Sequence, residues 1–480
     1  MKPSSFYRHG QRLLMVAAAA ALCACSTLPE YAKPAVDLPA HFTGAPGWAV
    51  AEPGDQQPRG AWWSIFQDEE LNRLEAQVDI SSQTVRKALA QLQQARAQVD
   101  YQQAGFFPTV SANVSSIPFR TSANRAGSSL AGKTVPDHSL GLNASWEPDL
   151  FGRIQDAVTT AQGYAQASEA DLQAVRLSVG SDLALNYFQL RSLENQKMLL
   201  DRTVKAYAAA LDILQQQLQN GAIDASAVAQ ARTQLESARA QDSDIDSQRA
   251  MLLHAIATLI GQPASTFTLA PTGIAKTPPV IPPALPSQLL QRRPDIAAAE
   301  RRVAAANAQI GQAHAAFFPA LQLTGAVGLE STYLAPWLSA PSLFWAIGPQ
   351  LVGTVFDGGQ RKAMLANATA QYDGAVADYR QTVLQSLQQV EDSLSDLHTL
   401  ANEKEHQDLA TSSAALALQL TSNRFQAGAV SYLDVVTAQT IALQNERLDE
   451  QLSARRLASS VLLIKALGGG WQGLGAQYAQ

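Results

Sequence analysis

The sequence predicts an α+β protein built from two copies of one unit, each pairing a β-hairpin with a long antiparallel helix pair. Three observations predict it. Landmarks recur in order: Phe106-Phe107-Pro108 returns as Phe317-Phe318-Pro319, Asp149 and Arg153 return as Asp357 and Arg361, and Gly221-Ala222-Ile223 returns as Gly428-Ala429-Val430. A shared spacing of roughly 210 residues marks an internal duplication. Two stretches, Asp149 to Gln262 and Gln350 to the C-terminus, contain no proline and are rich in Ala, Gln, Leu, Arg and Glu. Short segments of alternating polarity precede them.

The N-terminus comes first. Arg8 and Arg12 precede an apolar run from Leu13 to Leu22 that ends in small residues, the layout of a secretory signal. The run is too short for a permanent membrane helix. It closes on Leu22-Cys23-Ala24-Cys25-Ser26, which resembles a bacterial lipobox, and Cys25 is the candidate lipid anchor. Residues 1–24 are then a lipoprotein signal peptide and 25–62 a lipidated extended arm. No cysteine follows position 25, so the mature chain has neither disulfide nor thiol chemistry.

Residues 63–262 form the first repeat. Val110, Ala112 and Val114 share one face against Ser111, Asn113 and Ser115, and Leu140, Leu142, Ala144 and Trp146 do the same against Gly141, Asn143 and Ser145. The pair reads as a hairpin with strands near the ~9–11 residues that cross a bilayer when tilted. From about Gln155 to Gln219 apolar residues keep helical spacing, giving a helix of about 100 Å at 1.5 Å per residue. Such a helix must pack along its length against others. It stops at Gly221, the residue type usual just past a helix end, and turns back.

Residues 263–290 are a Pro-rich link or equatorial segment, and 291–480 the second repeat. Its hairpin comprises Leu321, Leu323, Gly325 and Val327, then a segment from Phe344 to Phe356. Phe106, Phe107, Trp146, Phe151, Phe317, Phe318, Trp345 and Phe356 lie near strand ends, as interfacial girdles do. Two hairpins give four strands, too few to close a barrel, so the sheet edges call for further copies of the chain. Eight strands from a dimer and twelve from a trimer both satisfy that demand.

Composition excludes other classes. The chain has 480 residues and a formal net charge of -6 with no basic stripe, which argues against nucleic acid. Seven histidines are scattered without metal spacing and five methionines do not cluster. Gly127 to Thr134 matches the phosphate-loop pattern, but Pro136 and an alternating strand follow where a helix is required. Lys133 therefore belongs to the exposed loop of the first hairpin, and no catalytic constellation is present.

Arg292-Arg293-Pro294-Asp295-Ile296, continuing through Ala304 to Gly311 and Phe318-Pro319, resembles the signature of the TolC-like outer-membrane efflux channels. Trp146 to Arg153, Arg424 to Gly428 and Ser431 to Val435 extend the likeness over the mature chain, most closely to the lipoprotein branch serving resistance-nodulation-division pumps. The resemblance implies a homotrimer with a twelve-stranded outer-membrane β-barrel continued by a long periplasmic α-helical barrel. It also implies partnership with a periplasmic adaptor (membrane fusion protein) and an inner-membrane pump, outer-membrane lipid around the barrel, export of small toxic compounds or drugs, and no cofactor beyond the lipid on Cys25. Two alternatives share parts of this pattern: an exit duct for type I protein secretion, and a non-conducting periplasmic structural lipoprotein.

The same resemblance places an iris-like gate at the periplasmic tip of the second helix pair. Relatives narrow there through an arginine beside the glycine turn, a leucine and an aspartate. Arg424 and Leu433 match, Thr437 stands at the aspartate's position, and Asp434, one turn earlier, supplies the anion. The first repeat has Gln217 and Ala227 at the matching positions, so the latch belongs to the second. Gly221, Ala222, Ile223, Gly428, Ala429 and Val430 are, by resemblance, the adaptor contacts.

Overall fold

A computed structural model describes residues 31–37, 39, 61–124, 126–127, 129–272, 278–279 and 293–469. The signal segment 1–24, Cys25 and most of the arm and Pro-rich link lie outside the described residues. The elements, in chain order, are α1 (Glu69–Ser81), α2 (Gln83–Gln103), β1 (Thr109–Arg120), β2 (Thr134–Trp146), α3 (Arg153–Gln219), α4 (Ala225–Leu259), α5 (Pro294–Ala315), β3 (Ala320–Ser331), β4 (Leu343–Val352), α6 (Gln360–Gln426) and α7 (Tyr432–Ala466). The duplication is literal: α3 and α6 each have 67 residues, α4 and α7 each 35. Gly221 pairs with Gly428 in that register. The chain divides into two compact units.

The first unit comprises residues 1–35, 92–168 and 299–379 and holds all four strands. They form one antiparallel sheet in the order β1-β2-β3-β4, the two hairpins joined through β2 and β3. Register aligns the alternating residues across all four strands. Val114, Leu140, Leu329 and Leu343 fall in one row, and Leu142, Val327 and Trp345 in another, on a single apolar face. Ser111, Asn143, Ala326 and Ala346, then Asn113, Gly141, Gly328 and Phe344, line the opposite face. The Asn143 amide donates to Asn113 Oδ1 at 2.9 Å there. Among the described residues β1 and β4 have no strand paired to their outer edges. At the sheet's helical end the Trp146 indole donates to the Phe106 carbonyl at 2.8 Å, and Phe151 stacks on Phe318 at 4.8 Å. Trp345 sits toward the other end, opposite Val327.

One sequence expectation changes here, and one recurrence in sequence differs in its contacts. The final strand stops at Val352 rather than reaching Phe356, because Gly353 lies against the Pro319 ring and Gly358 and Gly359, at φ 62° and 96°, turn the chain into α6. Phe356 is left 88% exposed outside the sheet. Asp149 and Arg153 do not repeat the geometry of Asp357 and Arg361. Arg361 pairs with Asp357 at 2.6 Å, whereas Arg153 pairs with Glu147 at 2.9 Å and Asp149 accepts the Gln155 N–H at 2.7 Å. The two junctions are out of step by one residue, so each arginine meets a different carboxylate.

The second unit comprises residues 36–91, 169–298 and 380–480. Its core is a row of fully buried leucines, among them Leu71, Leu74, Leu183 and Leu190. A buried ionic network fastens the flanking segments to α3. Arg191 and Glu194 pair at 2.7 Å, Arg191 also donates to the Ala270 carbonyl, and Arg249 and the Thr272 N–H donate to Glu194. The signature Arg293 fastens the start of α5 in a comparable way. It pairs with Asp295 and donates to the carbonyl of Ala466, the last residue of α7, at 2.9 Å. Among the described residues no helix is long and apolar enough to cross a membrane.

A lysine clasp closes each helix pair and repeats in register. Lys197 on α3 meets Asp242 on α4 at 2.8 Å, with Asp246 at 3.1 Å and Asp201 at 3.8 Å. Its counterpart Lys404 on α6 meets Asp449 on α7 at 2.9 Å and its own helix's Asp408.

Candidate functional site

Both helix tips are built by the same local rules. At the end of α3, Gly221 takes φ 69° and the Ala222 N–H donates to the Gln217 carbonyl at 2.9 Å. At the end of α6, Gly428 takes φ 75° and Ala429 donates to the Arg424 carbonyl at 2.8 Å. A side chain at either glycine is strained by the left-handed backbone, which is why glycine ends both helices. Four of the six predicted turn residues, Gly221, Ala222, Gly428 and Ala429, are thus hydrogen-bonded caps of the long helices.

The return helices start differently. Asp224 caps α4, its carboxylate accepting the Ser226 N–H at 2.7 Å. Ser431 caps α7 with a reciprocal box in which Asp434 Oδ2 accepts the Ser431 N–H at 2.9 Å and its hydroxyl at 2.7 Å. The tip acid has therefore moved three residues, from the cap itself to the first turn. Hydrogen bonds from the Ser431 hydroxyl and N–H, and the nearby Arg424 charge, hold the Asp434 carboxyl below the usual aspartate range.

Helical periodicity divides the first turns of α7 into two faces. Tyr432, Val435 and Val436 are buried against Leu214 and Ala231 of the first repeat, with Leu211, Ile223 and Phe425 around them. Leu433, Asp434 and Thr437 occupy the exposed side, Leu433 at 52% exposure. Thr437 spends its hydroxyl on the Leu433 carbonyl at 2.9 Å. Arg424, Leu433, Asp434 and Thr437 thus gather at one tip, where Asp434 feels Arg424 as a charge while its hydrogen bonds go to Ser431. Sequence reasoning missed Ser431 and the Tyr432 anchor, although Ser-x-x-Asp ahead of an apolar run is a legible capping signal. Further from the tip, Arg447 on α7 donates to Gln241 on α4 at 2.6 Å, and Asn195 on α3 to Glu450 on α7 at 2.9 Å.

The phosphate-loop match has no helix behind it. Lys133 ends the β1–β2 loop, where Thr121 N–H donates to the Lys133 carbonyl, and Thr134 opens β2. A phosphate site of that type needs a helix N-terminus aimed at the anion. Among the described residues no group of three or more His, Cys, Asp or Glu is placed to hold a metal ion.

Comparison with known proteins agrees with this geometry. The family model described as outer membrane efflux protein matches residues 76–262 and 285–469, one match per repeat. The cation efflux system protein CusC of Escherichia coli O6:H1 is 30% identical over 466 residues, covering 96% of this chain and 99% of the relative. Outer membrane protein OprJ of Pseudomonas aeruginosa is 31% identical over 453 residues, covering 94% of each. Among solved structures, the outer-membrane channel OprN superposes with a TM-score of 0.85 at 28% identity, covering 93% of this chain and all of that one. A CusC crystal structure gives 0.81 at 27% identity, with the same coverage.

Proposed function

Because the chain belongs to the outer membrane efflux protein family, we propose that it is the outer-membrane channel of a tripartite efflux system, passing small toxic compounds or drugs to the exterior. It works as a homotrimer with a periplasmic adaptor and an inner-membrane resistance-nodulation-division pump. The observation that carries this reading is the four-stranded sheet, with one apolar face, an opposite face whose central rows are mostly small and polar, and two edges unpaired among the described residues. Three such sheets joined edge to edge close a twelve-stranded barrel whose apolar face meets lipid and whose polar face meets water. The relatives are channel proteins, so the chemistry is transport rather than catalysis. Purified trimers in a planar bilayer are expected to pass KCl current, and the gene to restore drug or metal tolerance to its own deletion strain. Trimers that never conduct, in any variant, overturn this reading in favour of a structural lipoprotein.

The finer features belong to the same proposal. Cys25 carries the lipid, in keeping with the relative named as a probable outer membrane lipoprotein, SilC of Salmonella typhimurium. Mass spectrometry finding an unmodified Cys25 would end that claim. Arg424, Leu433, Asp434 and Thr437 form the gate, and the Gly221–Ile223 and Gly428–Val430 turns receive the adaptor. Replacing Arg424 and Asp434 together by Ala is expected to raise KCl conductance and sensitivity to large antibiotics. Arg424→Ala alone, which leaves the Ser431–Asp434 box intact, separates the latch from the helix cap. Unchanged conductance in well-assembled trimers of both variants removes the latch.

A further inference from the structure

Charge is sorted between the two faces of the sheet at the end away from the helices. The helices connect at the other end, through Thr109, Trp146, Ala320 and Val352. On the apolar face, the wall toward lipid in the proposed barrel, the row of Val114, Leu140, Leu329 and Leu343 is followed by Ser116, His138 and Ser331. From there β1 and β2 continue to Arg120 and Thr134, and the alternation inverts: Ile117, Phe119 and Val135 fall on the bore face, while Ser116, Pro118 and Arg120 fall on the wall. Asp137 and Glu330 also fall on the bore face, and no carboxylate of the four strands lies on the wall. Across residues 101–136 the sequence holds Arg120, Arg125 and Lys133 and no acid, in a chain whose net charge is -6.

Side chains on this part of the wall suit a polar, anionic neighbour. His138 Nδ1 lies 2.9 Å from the Ser116 hydroxyl. The Trp337 indole donates to the Leu329 carbonyl at 3.2 Å and its ring lies 5.6 Å from that of His138, so the tryptophan sits where the apolar rows end. A ring with apolar faces and one polar edge is the side chain usual at headgroup level. Among the described residues Arg120 has no carboxylate partner, and its guanidinium reaches the Thr134 hydroxyl at 3.5 Å. An arginine in that state presents the forked donors that phosphate accepts in pairs. Charges that were merely solvated at a rim would need no particular face, whereas here the acids are kept to the bore and the arginine to the wall.

We propose that this end of the β1–β2 hairpin is a docking site for a phosphorylated glycolipid of the outer leaflet: Arg120 and Lys133 meet its phosphates, and Ser116, His138 and Trp337 meet its sugar edge at the top of the apolar wall. With the helices in the periplasm, the far end of the sheet lies in that leaflet. Each protomer carries one site, outside the bore. The placement of Asp137 and Glu330 follows, because a carboxylate on the wall would repel the same phosphates. The proposal rests on the barrel reading and names the lipid that the barrel's outer end holds.

Wild-type trimers in phosphatidylcholine nanodiscs doped with lipid A test it, with native mass spectrometry counting the lipid A that stays on each trimer released from the disc. About three are expected, one per protomer, and about tenfold fewer when the lipid A has been dephosphorylated. Equal retention of the two forms overturns the site. Arg120→Gln with Lys133→Gln is expected to lower retention of phosphorylated lipid A about tenfold, while Glu330→Gln, on the bore face, leaves it unchanged. Assembled double-variant trimers that hold lipid A as wild type does overturn the site as well. If the double variant does not assemble, the wild-type comparison of the two lipids decides alone. Displacement of lipid A by excess inorganic phosphate assigns the site to a free anion and overturns the lipid. Wild-type trimers that pass no KCl yet keep phosphorylated lipid A defeat the channel reading and leave the site standing.

Discussion

Glu75 on α1 is 3% exposed, its Oε1 has no hydrogen-bond partner, and its Oε2 lies where a side chain on Gly180 of α3 would begin, 2.7 Å from an ideal Cβ. Burial, with Asp79 nearby, pushes its pKa up from 4.5 to about 9. The acid is therefore neutral in the folded protein across most of the range in which it is ionised in the unfolded chain. Its contribution to stability is fully present below 4.5 and is lost as pH rises from there toward 9. Glu75→Gln, which keeps the shape and removes the titration, is expected to match wild type near pH 4 and to exceed it at pH 8. The gain in melting temperature is roughly 2–4 °C per kcal/mol recovered. Equal melting temperatures at pH 8 would show that the carboxyl is ionised and hydrated in place. Nothing local in the sequence marks this residue, because the glycine that admits it lies on a distant helix.

At the scale of elements, the clasps show how much of a helix pair is held by charge. Lys404 separates Asp408 on its own helix from Asp449 on α7, and removing its charge leaves two carboxylates facing one another. Lys404→Met is expected to lower stability by about 1 kcal/mol at neutral pH. Lys197→Met should cost more, because Asp246 adds a third acid that has Ser453 as its counterpart in the second repeat. Thermal unfolding at neutral pH checks the order, and a larger loss at Lys404 than at Lys197 contradicts it. The long helices themselves were legible, since proline-free periodicity and a terminal glycine are local signals: the expected start near Gln155 lies two residues from the observed Arg153. The clasps were not, since each joins residues of two different helices. The strand limits next to the helices were legible at Val110, Trp146 and Leu321, but the far limits at Arg120, Thr134 and Ser331 were not, and at Phe356 Gly358 and Gly359 overrode an apolar run that continued past Val352.

At the scale of the whole molecule, the sheet decides whether the chain enters a membrane, and neighbouring residues on β4 put that to a test. Ile347 lies on the apolar face, opposite Gly325, and is 81% exposed in the single chain. Ala346 lies on the other face, in the row of Ser111, Asn143 and Ala326. If three sheets close a barrel, the first faces acyl chains and the second faces water, although the two are adjacent in the chain. Ile347→Lys then places an ammonium near the middle of the lipid-facing wall, at a cost of about 2–4 kcal/mol. Ala346→Lys places the same charge in the aqueous bore and leaves insertion intact. Heat-resistant trimer recovered from outer membranes is expected to fall sharply for Ile347→Lys and to stay near wild type for Ala346→Lys. A soluble sheet would respond in the opposite sense, gaining solubility from a charge at Ile347 and losing nothing else. The ratio of the two variants therefore tests the barrel independently of conductance, gate or cargo.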